Sequence, residues 1–136
     1  MSLITKSYEN HQAFLLLREH GANRKDCNFY APAIHCCYYS CFQKMVHILK
    51  EYFTDEYKRV NTKESNSHSL LIRTFTDCYS NNFIENSSLI NRYLKQLKIL
   101  RQKSDYEDIM ISEQEMDKAS EYLAKINKII KEDIQL

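Results

Sequence analysis

Glycine and proline are almost missing from this sequence. Gly21 and Pro32 are the single instances in 136 residues, where an average chain uses about 7% and 5%. All-β domains need many tight turns, and tight turns draw on these two residues. The shortage excludes a sandwich or barrel and points to helices joined by few, polar connections. Long apolar runs are missing as well, so nothing in the sequence spans a bilayer. Met1 to Tyr8 lacks the apolar core of a signal peptide, and the expected location is the cytoplasm. Neither sign of charge prevails: 19 Lys and Arg stand against 18 Asp and Glu. That balance gives no whole-molecule attraction to nucleic acid or to an anionic membrane surface. Any site for a polyanion has to be local.

The length suits one domain over residues 1–136, large enough to bury a core without disulfides or metal. Five cysteines leave one unpaired in any disulfide scheme, and Cys36, Cys37 and Cys41 share one helical stretch, where bridging geometry is poor. They read as reduced, small apolar residues.

Apolar spacing predicts four or five helices. The first runs from about Tyr8 to His20 and stops at Gly21, placed as a C-terminal cap. The second, about Asn28 to Phe53, is the longest. One apolar series in it is Tyr30, Ile34, Cys37, Cys41, Met45, Ile48 and Tyr52; the other is Ala31, His35, Tyr38, Phe42, Val46, Leu49 and Phe53. Polar groups keep to a narrow stripe through Ser40, Gln43, His47 and Lys50. A helix apolar over most of its circumference is a central one. Pro32 either lies in its first turn or kinks it.

Thr54 to Ser67 is charged and aperiodic, which predicts a loop. A short third helix covers about Ser67 to Ser80, with Leu71, Phe75 and Cys78 on one face, and Ser80-Asn81-Asn82 breaks it. The fourth starts at Asn86 or Ser87, carries Ile90, Tyr93, Leu97 and Leu100, and reaches at least Lys103. The last begins at a capping box, Ser112 with Glu115, stapled by Ile111 and Met116. Met116, Ala119, Leu123, Ile126 and Ile130 then recur at helical spacing. Tyr38, Phe42, Leu97, Leu123 and Ile126 are the expected core.

At the end of the fourth helix stands Leu100-Arg101-Gln102-Lys103-Ser104-Asp105-Tyr106. It resembles the L-R-x-x-A-D-Y signature of a group of HEPN-like proteins. Ala33 to Phe42 looks like that group's long helix, Ser67 to Phe75 like its short middle helix, and Ala119 to Ile130 like its closing helix. The likeness spans roughly Asp26 to Asp133. It implies an all-α, four- to five-helix HEPN-like bundle that forms a homodimer, with the signature arginine facing a cleft at the interface. Many HEPN proteins are metal-independent RNases and toxins of toxin–antitoxin or antiviral systems, and these place a His four to six residues after the Arg. Others sit beside a minimal nucleotidyltransferase partner or bind nucleotides. Here the corresponding window reads Asp105, Tyr106, Glu107, Asp108, and no histidine follows Arg101.

Arg101 and Asp105 lie one helical turn apart and can pair. The pair either presents a planar fork to a phosphate, with Asp105 orienting it, or simply locks the helix end. Tyr106 is either a core residue or an acceptor of modification by a partner. Five bases and no acid fall between Arg92 and Lys103, among them Lys98; six acids and no base fall between Asp105 and Asp117. These runs read first as solvated faces that pair with each other, and otherwise as a stripe for RNA or nucleotide phosphates. RNA cleavage needs a general acid–base, for which His35, His47 and His68 are the candidates. His35, Cys37 and Cys41 lack a second ligand pair at finger spacing, so no metal is expected. With no phosphate loop or hydrolase motif either, no cofactor is expected. The sequence thus predicts a dimeric or partner-binding HEPN-like module with Arg101, Asp105, Tyr106 and Lys98 at an RNA or nucleotide site. The alternative is an endoribonuclease toxin that takes its histidine from elsewhere in the chain.

Overall fold

The computed structural model describes residues 2–21, 29–60, 68–106 and 110–134. Among these it holds six helices and no strand: α1 (Leu3–Gly21), α2 (Tyr30–Tyr52), α3 (Thr54–Val60), α4 (His68–Asn82), α5 (Ile84–Tyr106) and α6 (Glu113–Asp133). All five other helices pack against α2. Its role as the central helix follows from the two apolar series, most of whose members are buried. Pro32 falls in the first turn, where its missing N–H removes no helical hydrogen bond.

The polar stripe of α2 is buried at its start, while Lys50 at its end is exposed. Ser40 is buried against Ser7 of α1, and each hydroxyl donates to the other residue's carbonyl, at 2.6 and 2.9 Å. One turn on, Asn10 Nδ2 donates to Gln43 Oε1 at 2.8 Å. Two small serines let the helix backbones approach, while Phe14 anchors α1 in the core. Lys44, also buried, donates to Asn127 Oδ1 at 2.7 Å, and burial pulls its pKa below the usual lysine value.

Several boundaries differ from those the sequence predicts. α1 starts at Leu3 because Ser2 Oγ accepts from the Thr5 amide. It ends at Gly21 without a left-handed cap, since no described glycine has positive φ. The expected loop from Thr54 instead opens with α3, while residues 61–67 lie outside the described residues. Asp55 and Glu56 in the first turn of α3, with Lys58 and Arg59 in its last, suit the helix dipole, and Tyr57 and Val60 rest on the core. α4 continues through Asn81 and Asn82, because Asn82 Nδ2 donates to the Cys78 carbonyl at 2.8 Å. α5 starts at Ile84, so Asn86 lies inside it and bonds Asp133 of α6 instead of capping. The Ser112–Glu115 capping box is present, and Ile111 and Met116 are buried beside it. Tyr38, Leu97, Leu123 and Ile126 are core residues as expected. Phe42 is only half-buried; one face of its ring serves the site described next.

Candidate functional site

Leu94 and Leu97, both buried, fix the face of α5 that meets the core. Arg101 then reaches α2 and Lys98 reaches the start of α4. The Arg101 side chain is 15% exposed, and its Nε lies 3.0 Å from Asp105 Oδ2. Its Nη2 donates to Tyr39 Oη at 3.3 Å. The guanidinium carbon stands 5.3 Å from the Tyr38 ring centre and 5.6 Å from that of Tyr39, within range of cation–π attraction.

The same Asp105 Oδ2 meets Nδ1 of His35 at 3.3 Å. A carboxylate only accepts, so this contact calls for the proton on Nδ1 and leaves Nε2 as the ring nitrogen available to another group. The His35 side chain is 48% exposed, and its ring packs on Tyr39 with centres 4.6 Å apart.

On the other flank, His68 opens α4. Its ring stacks on Phe42 at 4.1 Å between centres and meets the Tyr39 ring edge-on at 5.6 Å. Its Nδ1 lies 3.3 Å from Tyr38 Oη. Burial, followed by the charges of Arg101 and Lys98, lowers the His68 pKa below 6.5, so the ring is neutral at pH 7. Burial pushes the Tyr38 phenol up to about 12, against the opposing effect of Arg101. The phenol therefore keeps its proton, and either the phenol or the imidazole Nδ1–H donates in this contact, according to the His68 tautomer. Lys98 Nζ donates to Ser69 Oγ at 2.7 Å, one residue along α4.

The structure thus brings together Arg101, Asp105, Lys98, His35 and His68. It leaves His47 aside, about 18 Å farther along α2 than His35 at 1.5 Å per residue. Tyr106 closes α5, and its side chain lies outside the described residues. Tyr38, Tyr39, Phe42 and Ser69 are site residues that sequence reasoning missed. The available signal was the spacing of His35, Tyr38, Tyr39 and Phe42, which reads equally as packing.

The charge runs divide. Lys103 Nζ bonds Glu115 Oε2 at 2.7 Å, joining α5 to α6 as paired faces would, whereas Lys98 and Arg101 turn to the site. Among the described residues no group of three or more His, Cys, Asp or Glu can hold a metal. The Cys41 thiol is buried and held at about 12 by that burial, so it is not a ready thiolate ligand. All four described cysteines are free thiols, and no described helix is long and apolar enough to cross a membrane.

Chemically, the cluster offers a guanidinium, two imidazoles packed on the part-buried rings of Tyr39 and Phe42, and a carboxylate paired with one of those imidazoles. No family model, curated protein or solved structure matches the chain.

Proposed function

We propose that this chain is a HEPN-like module that binds RNA or nucleotides through their phosphates at Arg101 and works as a homodimer or with a protein partner such as a nucleotidyltransferase. The observation that carries the ligand reading is the setting of Arg101, held by Asp105 and Tyr39 and flanked by Lys98. Guanidinium gives phosphate two parallel hydrogen bonds, and a base can stack on aromatic rings beside it. The homodimer and the protein partner follow from the sequence resemblance. Calorimetric titration with AMP and a short oligoribonucleotide tests the ligand reading. Arg101→Ala should abolish binding while circular dichroism stays helical; equal affinity in the variant would refute it.

One observation favours a second reading, metal-independent RNA cleavage. His35 presents Nε2 while Asp105 holds its Nδ1, an arrangement suited to a general base. It supplies from α2 the histidine that the signature on α5 lacks.

A further inference from the structure

We propose that the groove between α4 and α5 is a second anion subsite, which takes the phosphodiester backbone of a single-stranded oligoribonucleotide leading away from Arg101. The proposal rests on the reading of Arg101 as a phosphate-binding residue.

The groove holds about 400 Å³. Lys95 and Lys98 line it from α5 and Arg73 from α4, with Ile72 and Leu94 between them. Arg73 and Lys95 are exposed. Lys95, Lys98 and Arg101 follow one another at intervals of three residues, so they form one line on α5. Six residues at 1.5 Å each give an axial rise of about 9 Å, and the i+3 row is inclined ~45° to the axis, so the line is roughly 13 Å long. At the ~3.4 Å rise of a stacked strand, it accommodates roughly four nucleotides. The Lys98–Ser69 hydrogen bond lies where the groove meets the Arg101 cluster, next to His68. A mononucleotide on Arg101 leaves Lys95 and Arg73 unused, whereas a strand engages all of them.

The lining also shows where the track ends. Asp77 is the acid of this groove and also lines the neighbouring one between α3 and α4, together with Glu56 and its ion-pair partner Arg59. Glu56 is neutralised by Arg59, so Asp77 is the carboxylate that opposes a polyanion at this end. The apolar patch of Ile72 and Leu94 suits a sugar or the face of a base, which inorganic anions lack.

The test compares AMP with fluorescein-labelled hexa-adenylate across a salt series, by calorimetry and fluorescence anisotropy. The proteins are the wild type, Arg101→Ala, and the double variant Arg73→Gln/Lys95→Gln, each checked by circular dichroism. The wild type should bind the hexanucleotide more tightly than AMP. The double variant should lose several-fold in hexanucleotide affinity and leave AMP unchanged. Its plot of log affinity against log salt should flatten by about 1.4, from two phosphate contacts at ~0.7 each. An unchanged slope with AMP binding still dependent on Arg101 overturns the groove and leaves the Arg101 reading standing. Loss of hexanucleotide binding in the double variant alone, with Arg101→Ala behaving like wild type, removes the Arg101 reading and keeps the groove. No binding of either ligand overturns both.

Discussion

His35 on α2 and Asp105 on α5 are separated by seventy residues in sequence and by 3.3 Å in space. The carboxylate oxygen they share also holds Arg101 at 3.0 Å. Asp105 therefore couples Arg101, the proposed phosphate-binding group, to the His35 imidazole, and a phosphate at Arg101 would have to compete with it.

Asp105→Asn separates those two effects. The substitution removes a negative charge from beside the guanidinium, so affinity for AMP should rise several-fold. The histidine should lose its fixed ring orientation at the same time, which NMR of the His35 ring nitrogens would register. A loss of affinity equal to that of Arg101→Ala would instead make Asp105 a positioning residue for the arginine.

Acid should destabilise the fold in a defined range. Burial and the charges of Arg101 and Lys98 depress the folded-state pKa of His68, and burial and Lys44 depress that of His11. The unfolded chain thus binds protons first as pH falls through about 6.5. Stability is full above that pH, declines below it, and levels off once the folded pKa values are passed. Thermal melts over this range should show the decline, and His68→Gln should make it shallower. An identical pH profile in His68→Gln would assign the decline to other groups.

How far the sequence foretold this site depends on which contacts are local. The capping box and the five-residue apolar repeat of α6 are set by neighbours within a turn or two, and the structure keeps them all. The Arg101–Asp105 pair is likewise one turn long. His35 and Tyr39 belong to the site only because α2 crosses α5 at that point, and no local pattern encodes a crossing. Ser40 shows the same limit in reverse. Composition marked only a narrow polar stripe through Ser40, yet the matching hydroxyl of Ser7 makes that position an interior seam. α3 escaped notice because one face only half-buries two residues, too little to impose a visible period.

Ser112→Ala should remove the bond from the Glu115 amide and cost about 1 kcal/mol. For a domain of this size that is a fall of about 4 °C in melting temperature. Glu115→Ala should cost more than the cap alone, because Glu115 also binds Lys103 and so ties α6 to α5. Chemical denaturation of both variants checks the order; a smaller loss for Glu115→Ala would contradict it.

Association into a homodimer is expected from the sequence resemblance. Light scattering at high micromolar concentration, in low and moderate salt, should report twice the chain mass. A monomer in both conditions would remove the dimer and any composite cleft built on it.

Cleavage of RNA is the strictest test of the Arg101 cluster. Arginine can stabilise the extra charge on a pentacovalent phosphate, yet it stays protonated and cannot take the 2′-hydroxyl proton. His35 Nε2 can take that proton while Asp105 holds Nδ1, and His35 contacts Asp105 rather than Arg101 itself. His68 is a poor acid at pH 7, because its lowered pKa leaves it without the proton a leaving oxygen needs. General acid–base help is typically worth about 10² to 10⁴ in rate, so a site with a base and no ready acid should bind RNA better than it cuts it. Purified protein should therefore show little cleavage of total or transfer RNA in EDTA, and what remains should fall with His35→Ala. Robust, EDTA-resistant cleavage abolished by both Arg101→Ala and His35→Ala would make the chain a ribonuclease and displace the binding module as its first function.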